Sequence, residues 1–172
     1  MKIVLEGRAR KFGDDVNTDY IILSTRKRET IDESELKKYL MEGIDPGFAA
    51  TVRPGDLLVA GRNFGSGSAM ETAATVILAA GIKAVLAQSF SRTFYRNAIN
   101  NGLIPIQCDT STISEGNRLS IDLGSSILTI RNLTTCVQES VAWQMPEMML
   151  EILESGGVVP YLRQHGRFET SR

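Results

Sequence analysis

Residues 57–107 read LLVAGRNFGSGSAMETAATVILAAGIKAVLAQSFSRTFYRNAINNGLIPIQ, and this stretch decides the fold. It holds three short apolar runs with the length and composition of buried strands, separated by two longer segments with the length of helices. The alternation of strand and helix predicts a largely parallel sheet with helices packed on it. The predicted strands are 57–60, 83–87 and 103–107, and the predicted helices end near Gly81 and span about 91–101 before Gly102.

The regions on either side of this stretch contain shorter elements separated by turn residues. Asp32 is a suitable N-cap for a helix over 33–42, whose apolar side chains share one face. We expect one domain over 1–163, followed by a polar, flexible tail over 164–172. The other predicted elements are a strand over 2–6, a loop over 13–19, an extended piece over 20–23, a turn over 53–56, a hairpin over 118–132 through Gly124-Ser125-Ser126, a helix over 146–154 and an extended piece over 158–162.

The composition is that of a soluble globular protein, because 42% of the 172 residues are hydrophobic and 23% are charged. No apolar run approaches the roughly 18 residues of a membrane-spanning helix, and the N-terminus lacks the apolar core of a signal peptide. We therefore expect a cytoplasmic protein without a membrane partner. The net charge of −1 indicates no broad basic surface, so nucleic-acid binding is not expected either.

Residues that bind metals or act as nucleophiles are scarce. The two cysteines, Cys108 and Cys136, are far apart in the sequence, and His165 is the single histidine. With so few cysteines and histidines, the sequence favours neither a disulfide framework, nor a zinc site of the usual spacing, nor a Ser-His-Asp triad. If the chain takes part in catalysis, another group or another chain must supply the metal or the usual base.

The turn Gly65-Ser66-Gly67-Ser68 is the strongest candidate for a functional site. Its glycines permit positive φ angles and close backbone approach, and a helix that begins after exposed N–H groups favours an anion. A second interpretation is structural: Ser68 caps the helix, and Glu71 three residues later completes a capping box. A phosphate-binding loop is a weaker alternative, because the sequence has neither GxGxxG nor Gly-Lys-Ser/Thr at this point.

The run from 61 to 103 resembles the signature region of the swivelling domain of the aconitase superfamily. It is most similar to the stand-alone small subunits of 3-isopropylmalate dehydratase and homoaconitase, and matching motifs in the same order extend the resemblance over 1–163. These motifs are GRA at 7–9, KFG at 11–13, DVNTD at 15–19, MEG at 41–43 with DP at 45–46, PGD at 54–56, and MLEILESGG at 149–157 with PYL at 160–162. The resemblance implies an α/β fold, namely a single swivelling β/β/α domain with a mostly parallel sheet and flanking helices.

The resemblance also implies a reaction. Enzymes of this family remove water from a hydroxy acid and add it back at the neighbouring carbon. Their large subunit carries a [4Fe-4S] cluster, so the small subunit binds no metal and instead supplies the serine that acts as base on the C–H proton. Ser68 matches that serine. The residues expected to contact the substrate beside it are Gly65, Ser66, Gly67 and Asp19.

The chain departs from the family pattern next to this base. The usual run Gly-Cys-Gly-Ser-Ser-Arg-Glu-His is here Gly-Ser-Gly-Ser-Ala-Met-Glu-Thr at 65–72, so that Met70 replaces the arginine that grips a substrate carboxylate. Such a contact contributes roughly 1.5–3 kcal/mol. A replacement cation could come from the basic loop 24–30, where Arg28, with Arg26 close by, aligns near the position that selects the substrate's side group. The alternative is that this loop is simply a solvated basic segment.

Three functions therefore remain open. The first is the small subunit of a heteromeric hydro-lyase that isomerises a hydroxy-dicarboxylic acid, most simply 3-isopropylmalate dehydratase of leucine biosynthesis. The second is a paralogous subunit for another hydroxy acid, homoaconitate-like or dimethylmalate-like. The third is a catalytically silent, regulatory partner of the large subunit. Ser68 within an intact turn argues against the third function, whereas Met70 argues for it.

Overall fold

A computed structural model of the chain describes residues 3–124, 127–142 and 145–168. Its strands are β1 (Ile3–Lys11), β2 (Leu57–Ala60), β3 (Ala84–Ala87), β4 (Ile104–Gln107), β5 (Arg118–Leu123), β6 (Ile127–Asn132) and β7 (Val137–Ala142). Its helices are α1 (Thr18–Ile21), α2 (Arg26–Glu29), α3 (Glu33–Leu36), α4 (Phe48–Thr51), α5 (Thr72–Ala79), α6 (Arg92–Asn101), α7 (Glu147–Glu154) and α8 (Val158–His165), with a 3₁₀ turn at Lys37–Tyr39. The strands within these ranges form one sheet in the order β4-β3-β2-β1-β5-β6-β7.

β1 divides its hydrogen bonds between two differently built halves of the sheet. Residues 9–11 run parallel to β2, and residues 3–8 run antiparallel to β5. β3 and β4 continue the parallel half, whereas β6 and β7 continue the antiparallel half. The sheet is therefore half parallel, which corrects the expectation of a mostly parallel sheet. The cause is that the short links from β5 to β7 can join only antiparallel strands.

Two apolar clusters cover the two faces of the parallel half. The first contains Leu58 and Val85 together with the buried residues of α1, α3 and α5. The second contains Leu57 and Leu86 together with residues of β5, β6, α7 and α8. Since successive strand residues point to opposite faces, the antiparallel half packs over the second face. This arrangement confirms the predicted α/β class with its β/β/α layers and flanking helices.

The elements predicted for the central stretch are confirmed. α5 and α6 connect β2, β3 and β4 at the predicted places. Ser91 caps α6 by accepting a hydrogen bond from the Phe94 N–H at 3.2 Å, and Gly102 ends the helix with a φ of 84°. Asp32 caps α3 in the same way, 2.9 Å from the Ser34 nitrogen. Local chemistry was therefore sufficient to place the start of α3 after Asp32 and the end of α6 before Gly102.

Two predictions in the first third of the chain are wrong. Residues 20–23 are not an extended piece, because α1 ends at Ile21 and is capped by Asn17, whose side chain accepts the Tyr20 N–H hydrogen bond at 3.0 Å. The helix expected over 33–42 ends at Leu36 and continues only as a 3₁₀ turn. Both segments are too short for apolar periodicity to decide between helix and extended structure.

The extended piece expected over 158–162 is also wrong, because these residues form most of α8. Pro160 lies in its first turn, where the missing N–H costs no intrahelical hydrogen bond. β7 follows the predicted hairpin as an additional strand; of the hairpin turn, Ser125 and Ser126 lie outside the described residues. α8 carries the chain past 163 to His165, and the domain boundary and flexible tail stay predictions. No helix in the described ranges is long and apolar enough to cross a bilayer.

Asp56 lies buried where β1 changes partners. Its carboxylate accepts hydrogen bonds from Arg8 at 3.0 Å, from Arg10 at 3.5 Å and from the Arg53 N–H at 3.0 Å. Burial alone would raise the pKa of this carboxyl, but the donors outweigh it, so the pKa of Asp56 lies below its ordinary value. The carboxylate thereby ties two arginines of β1 to the turn that begins β2.

We predict that Asp56→Asn lowers the free energy of unfolding by about 3 kcal/mol, because it leaves buried Arg10 without its full complement of negative charge. Urea denaturation measures this loss. The wild-type protein should also lose stability as the pH falls through the acidic range. The pKa of Asp56 is lowered in the folded state, so its carboxylate stabilises the fold above the unfolded-state pKa. Protonation of Asp56 at lower pH removes this stabilisation.

The Asp56→Asn variant should lack that part of the pH dependence. Glu35→Gln is the matched control, because Glu35 pairs with Lys38 at 2.7 Å on an exposed surface. It should change the free energy of unfolding by less than about 1 kcal/mol. Equal losses in the two variants would contradict a structural role for the buried carboxylate.

Candidate active site

The Gly-Ser loop, residues 61–71, leaves the carboxyl end of β2 and leads into α5. This edge of a parallel sheet is where α/β proteins commonly bind ligands. On one side the loop is fixed by the segment that follows β1. The Gly65 N–H donates to the Val16 carbonyl at 2.7 Å, and the Thr18 N–H donates to the Ser66 carbonyl at 2.8 Å. Neighbouring parallel strands thus bring two loops together at one edge.

The segment that follows β3 fixes the other side of the Gly-Ser loop. Phe64 exchanges backbone hydrogen bonds with Ser89 at 3.0 Å and Ser91 at 2.9 Å, and the Ser91 hydroxyl donates to the Gly65 carbonyl at 2.6 Å. Gly65 has a φ of 76°, and a Cβ at this position would lie 2.2 Å from the Phe94 ring. The glycine is therefore required both for the backbone angle and for the close approach to α6.

Ser68 has a fixed backbone and a free hydroxyl. Its carbonyl accepts hydrogen bonds from the Thr18 hydroxyl at 3.0 Å and from the Met70 N–H at 2.7 Å. The residue is exposed, and its hydroxyl has no hydrogen-bond partner among the described residues. The Ser68 hydroxyl is thus presented to solvent from an anchored position.

The capping interpretation of Ser68 is wrong. α5 begins at Thr72 with Glu71 as its N-cap residue, and the Glu71 side chain makes no capping hydrogen bond. Ser68 therefore lies ahead of the helix, and the effect of a helix dipole decreases beyond the first turn. The turn's own N–H groups are the nearer donors: those of Gly67 and Ala69 donate no hydrogen bond within the described part of the chain.

Met70 is buried two residues after Ser68. Its side chain is only 6% exposed and belongs to the first apolar cluster, together with Val16 and Ile21. A buried thioether at this position supplies no positive charge, so a carboxylate next to Ser68 would need its cation from another part of the chain.

The basic loop 24–30 contains two arginines in different environments. Arg26 makes paired hydrogen bonds to Glu42 at 2.8 and 3.2 Å, contacts Glu29 at 3.2 Å and stacks 4.0 Å above the Tyr39 ring. The hydrogen bonds to Glu42 and Glu29 raise the pKa of Arg26. Arg28 is exposed and forms no ion pair with any described residue. Of the two predicted contacts, Arg28 is the one whose guanidinium is available.

Asp19, the remaining predicted contact, lies at the start of α1. Its carboxylate accepts a hydrogen bond from the Ser24 hydroxyl at 2.6 Å. This bond links Asp19 to the basic loop, and α1 also includes Thr18, which holds Ser68. The structure therefore connects Asp19 to both parts of the predicted site through α1.

Sequence reasoning missed the side chains that lock the two loops together. Arg62 makes a forked contact with Asp14 at 2.9 and 3.2 Å, and the Asn63 amide donates to Asp15 at 2.8 Å. Both pairs join the Gly-Ser loop to the loop after β1. The adjacent acidic residues at 14–15 and the polar pair at 62–63 were visible in the sequence, but their pairing depends on strand adjacency.

The described residues of this chain contain no group of three or more His, Cys, Asp or Glu side chains that could hold a metal ion. Cys108 is buried and Cys136 is exposed. Burial raises the pKa of the Cys108 thiol to about 12, which disfavours the thiolate needed for metal binding. These residues do not fit an iron–sulfur cluster.

This geometry defines a class: a β/β/α domain whose glycine-rich turn presents an anchored serine at the carboxyl edge of a parallel sheet. The aconitase C-terminal domain family matches residues 15–111. The chain belongs to that family, which confirms the resemblance seen in its sequence.

The relatives of the chain place it among the small subunits of 3-isopropylmalate dehydratase and homoaconitase. It is 46% identical to 3-isopropylmalate dehydratase small subunit 2 of Archaeoglobus fulgidus, covering 96% of this chain and 98% of the relative. It is 44% identical to the methanogen homoaconitase small subunit of Methanocaldococcus jannaschii, covering 99% and 98%. A solved structure of 3-isopropylmalate dehydratase from the same organism matches with a TM-score of 0.88 and 44% identity, covering 95% and 96%. The designation small subunit implies a heteromeric assembly with a large subunit.

We predict that Gly65→Ala destabilises the protein more than Gly116→Ala does. Both glycines have a similar φ, 76° and 80°, but a Cβ at Gly116 meets nothing within 4 Å. Gly116→Ala should therefore cost only the backbone strain of about 1–2 kcal/mol. Gly65→Ala should cost about 1–3 kcal/mol more, because the methyl group overlaps the Phe94 ring. Equal free energies of unfolding for the two variants, measured in urea, would show that the ring moves aside freely.

Proposed function

We propose that the chain is the small subunit of a hydro-lyase that isomerises a hydroxy-dicarboxylic acid by removing and re-adding water, with Ser68 as the base. The observation that carries this proposal is the free, exposed Ser68 hydroxyl on a backbone held by Thr18 and Met70. The relatives' names support it, because they are subunits of 3-isopropylmalate dehydratase and homoaconitase. We assign the activity to the cytoplasm and, for isopropylmalate, to leucine biosynthesis.

A serine can act as a base only where its alkoxide is stabilised. The N–H groups of Gly67 and Ala69 flank Ser68, donate no hydrogen bond to any described residue and are available for that purpose. In the proposed step, the Ser68 hydroxyl first loses its proton to solvent, and the resulting alkoxide Oγ takes the proton from the carbon next to a carboxylate. The C–H electron pair forms the double bond, and the C–O bond on the neighbouring carbon breaks to release hydroxide. Addition of water in the opposite sense completes the isomerisation.

The group that receives the hydroxide is proposed to lie on the large subunit. A [4Fe-4S] cluster there is the group that the family resemblance implies. The described residues of this chain offer no ligand set for it, so the small subunit's contribution is the base, its anchoring and part of the substrate pocket. We therefore expect the isolated chain to show no activity.

Arg28 is our proposed cation for a carboxylate of the substrate. Met70 is buried and carries no charge, and Arg26 is engaged by Glu42, Glu29 and Tyr39. Arg28 lies in the same loop as Arg26, but its guanidinium has no ion-pair partner among the described residues. This assignment favours a substrate whose variable arm is polar or carboxylated, the paralogue hypothesis, over a purely aliphatic arm.

We predict that Ser68→Ala lowers kcat by about 10²–10⁴-fold in the complex with the large subunit, because proton transfer loses its base. KM should change little. Turnover is measured with a reconstituted cluster under anaerobic conditions, from the absorbance of the unsaturated product. The substrates to screen are isopropylmalate and the homoaconitate-like and dimethylmalate-like hydroxy acids of the paralogue hypothesis.

Ser140→Ala, an exposed serine on β7, is the control and should retain wild-type turnover. A Ser68→Ala complex as active as the wild type would exclude Ser68 as the base. A correctly assembled wild-type complex that turns over none of the hydroxy acids would instead favour the catalytically silent partner, to which Met70 already points.

We predict that Arg28→Ala raises KM by about 10–100-fold for the substrate that is turned over best, because a charge-assisted hydrogen bond to a carboxylate is lost. Arg26→Ala should affect stability more than KM, since its partners are residues of this chain. Initial rates and urea denaturation of both variants separate the two effects. The assignment of Arg28 fails if its removal leaves KM unchanged for every substrate that the complex accepts.

A further inference from the structure

We propose that an arginine-lined cleft binds a small dianion. The cleft lies at the amino end of β2, whereas Ser68 lies beyond the carboxyl end of this strand. This cleft, which we call the arginine cleft, has a volume of about 280 Å³. It lies beside the turn that precedes β2, whereas the Gly-Ser loop follows β2. At about 3.3 Å per strand residue, the two sites are separated by roughly 15 Å along this strand. The residues that line it are Glu6, Gly7, Arg8, Arg53, Pro54, Gly55, Asp56 and Arg118.

The first argument is an uncompensated concentration of positive charge. Arg8 on β1 and Arg118 on β5 are direct cross-strand partners in the antiparallel half of the sheet. Like charges in this position destabilise a sheet unless a counter-charge lies close. Asp56 forms an ion pair with Arg8, but the side chains of Arg118 and Arg53 have no ion-pair partner in the described part of the chain. A dianion between them would provide the missing negative charge.

The second argument is that part of the cleft is already ordered. Asp56 at 3.0 Å and the Thr51 carbonyl at 3.1 Å hold the Arg8 guanidinium in place, while its side chain remains 37% exposed. Gly7 lets the turn approach β1, because a Cβ there would lie 2.0 Å from the Gly55 carbonyl oxygen. A fixed arginine loses less conformational freedom when it binds an anion than a freely moving one does.

The third argument concerns the size and class of the ligand. With three arginines against two carboxylates, the lining residues carry one net positive charge in a chain whose net charge is −1. The positive charge is thus local, which suits a compact anion and not an extended nucleic acid. Arginine pairs with phosphate and carboxylate through the same planar donors. The shared ligand chemistry is therefore a small phosphate or dicarboxylate dianion.

The proposal is tested by titrating the full chain with sodium phosphate and, separately, sodium succinate by calorimetry, with ionic strength held constant by sodium chloride. Saturable binding of at least one dianion is expected, and whichever binds identifies the source of the ligand. Arg53→Ala combined with Arg118→Ala should raise the Kd at least about tenfold. The absence of saturable binding for both anions would overturn the proposal.

Three further variants separate binding in the cleft from unfolding and from a general loss of positive charge. Arg96→Ala combined with Arg163→Ala removes two exposed arginines elsewhere and should leave the Kd unchanged. Glu6→Gln should lower the Kd, because it removes a carboxylate from the cleft, and a tighter Kd cannot result from unfolding. Arg28→Ala should retain binding. Equal weakening by the control pair, no tightening by Glu6→Gln, or loss of binding in Arg28→Ala would each contradict an anion site in this cleft.

The titration is then repeated on the assembled complex with the large subunit. Retained binding supports a small-molecule site that stays open during function. Loss of binding would overturn the proposal that the cleft binds a dianion in the functional complex, and would indicate that the large subunit covers it. Because none of these measurements depends on turnover, a failure here is distinguishable from a failure of Ser68 as the base.

Discussion

β1 changes its pairing partner between Arg8 and Ala9, and the rest of the architecture depends on how that change is stabilised. Up to Arg8 the strand is antiparallel to β5, and from Ala9 it is parallel to β2. Asp56 lies at this position and binds Arg8 and Arg10, which belong to the two differently paired segments of β1. The absent Cβ of Gly7 lets the turn before β2 approach closely enough for these bonds to form. A buried carboxylate with charged partners is therefore the junction of the two halves.

The same junction determines what meets at the carboxyl edge of the parallel half. β1 and β2 are adjacent and parallel, so the segments that follow them emerge side by side. The Asn17 and Ser66 backbones pair there, and Thr18 reaches the Ser68 carbonyl. Side-chain pairs such as Arg62 with Asp14 add to this connection. The serine is consequently held by the start of α1, in the segment that follows β1, and not by the helix that follows it in sequence.

The amino-acid composition does not show which positively charged side chains at the site are available to a ligand. Met70 stands where the family pattern has a cation, and its side chain instead completes the apolar cluster beneath α5. Arg26 and Arg28 look equivalent in the sequence, but only Arg26 has acidic and aromatic neighbours that use its guanidinium. At the other edge of the sheet, Arg8 and Arg118 come together solely because two strands pair in one register. In both places the environment of an arginine decides whether it is structural or available.

The sequence by itself determined the central βαβαβ unit, the cap at Asp32, the end at Gly102, and the family. These features depend on local patterns: apolar runs, capping residues, glycine conformations and motifs that lie close together in the chain. Tertiary structure alone decided that β1 joins a parallel half of the sheet to an antiparallel one, that Ser68 precedes α5 and is not its cap, and that 158–162 is helical. It also decided which arginines have no ion-pair partner among the described residues. The physical reason is that strand register and burial bring together residues some 50 to 110 positions apart, such as Thr18 with Ser68 and Arg8 with Arg118, and no local pattern encodes such pairings.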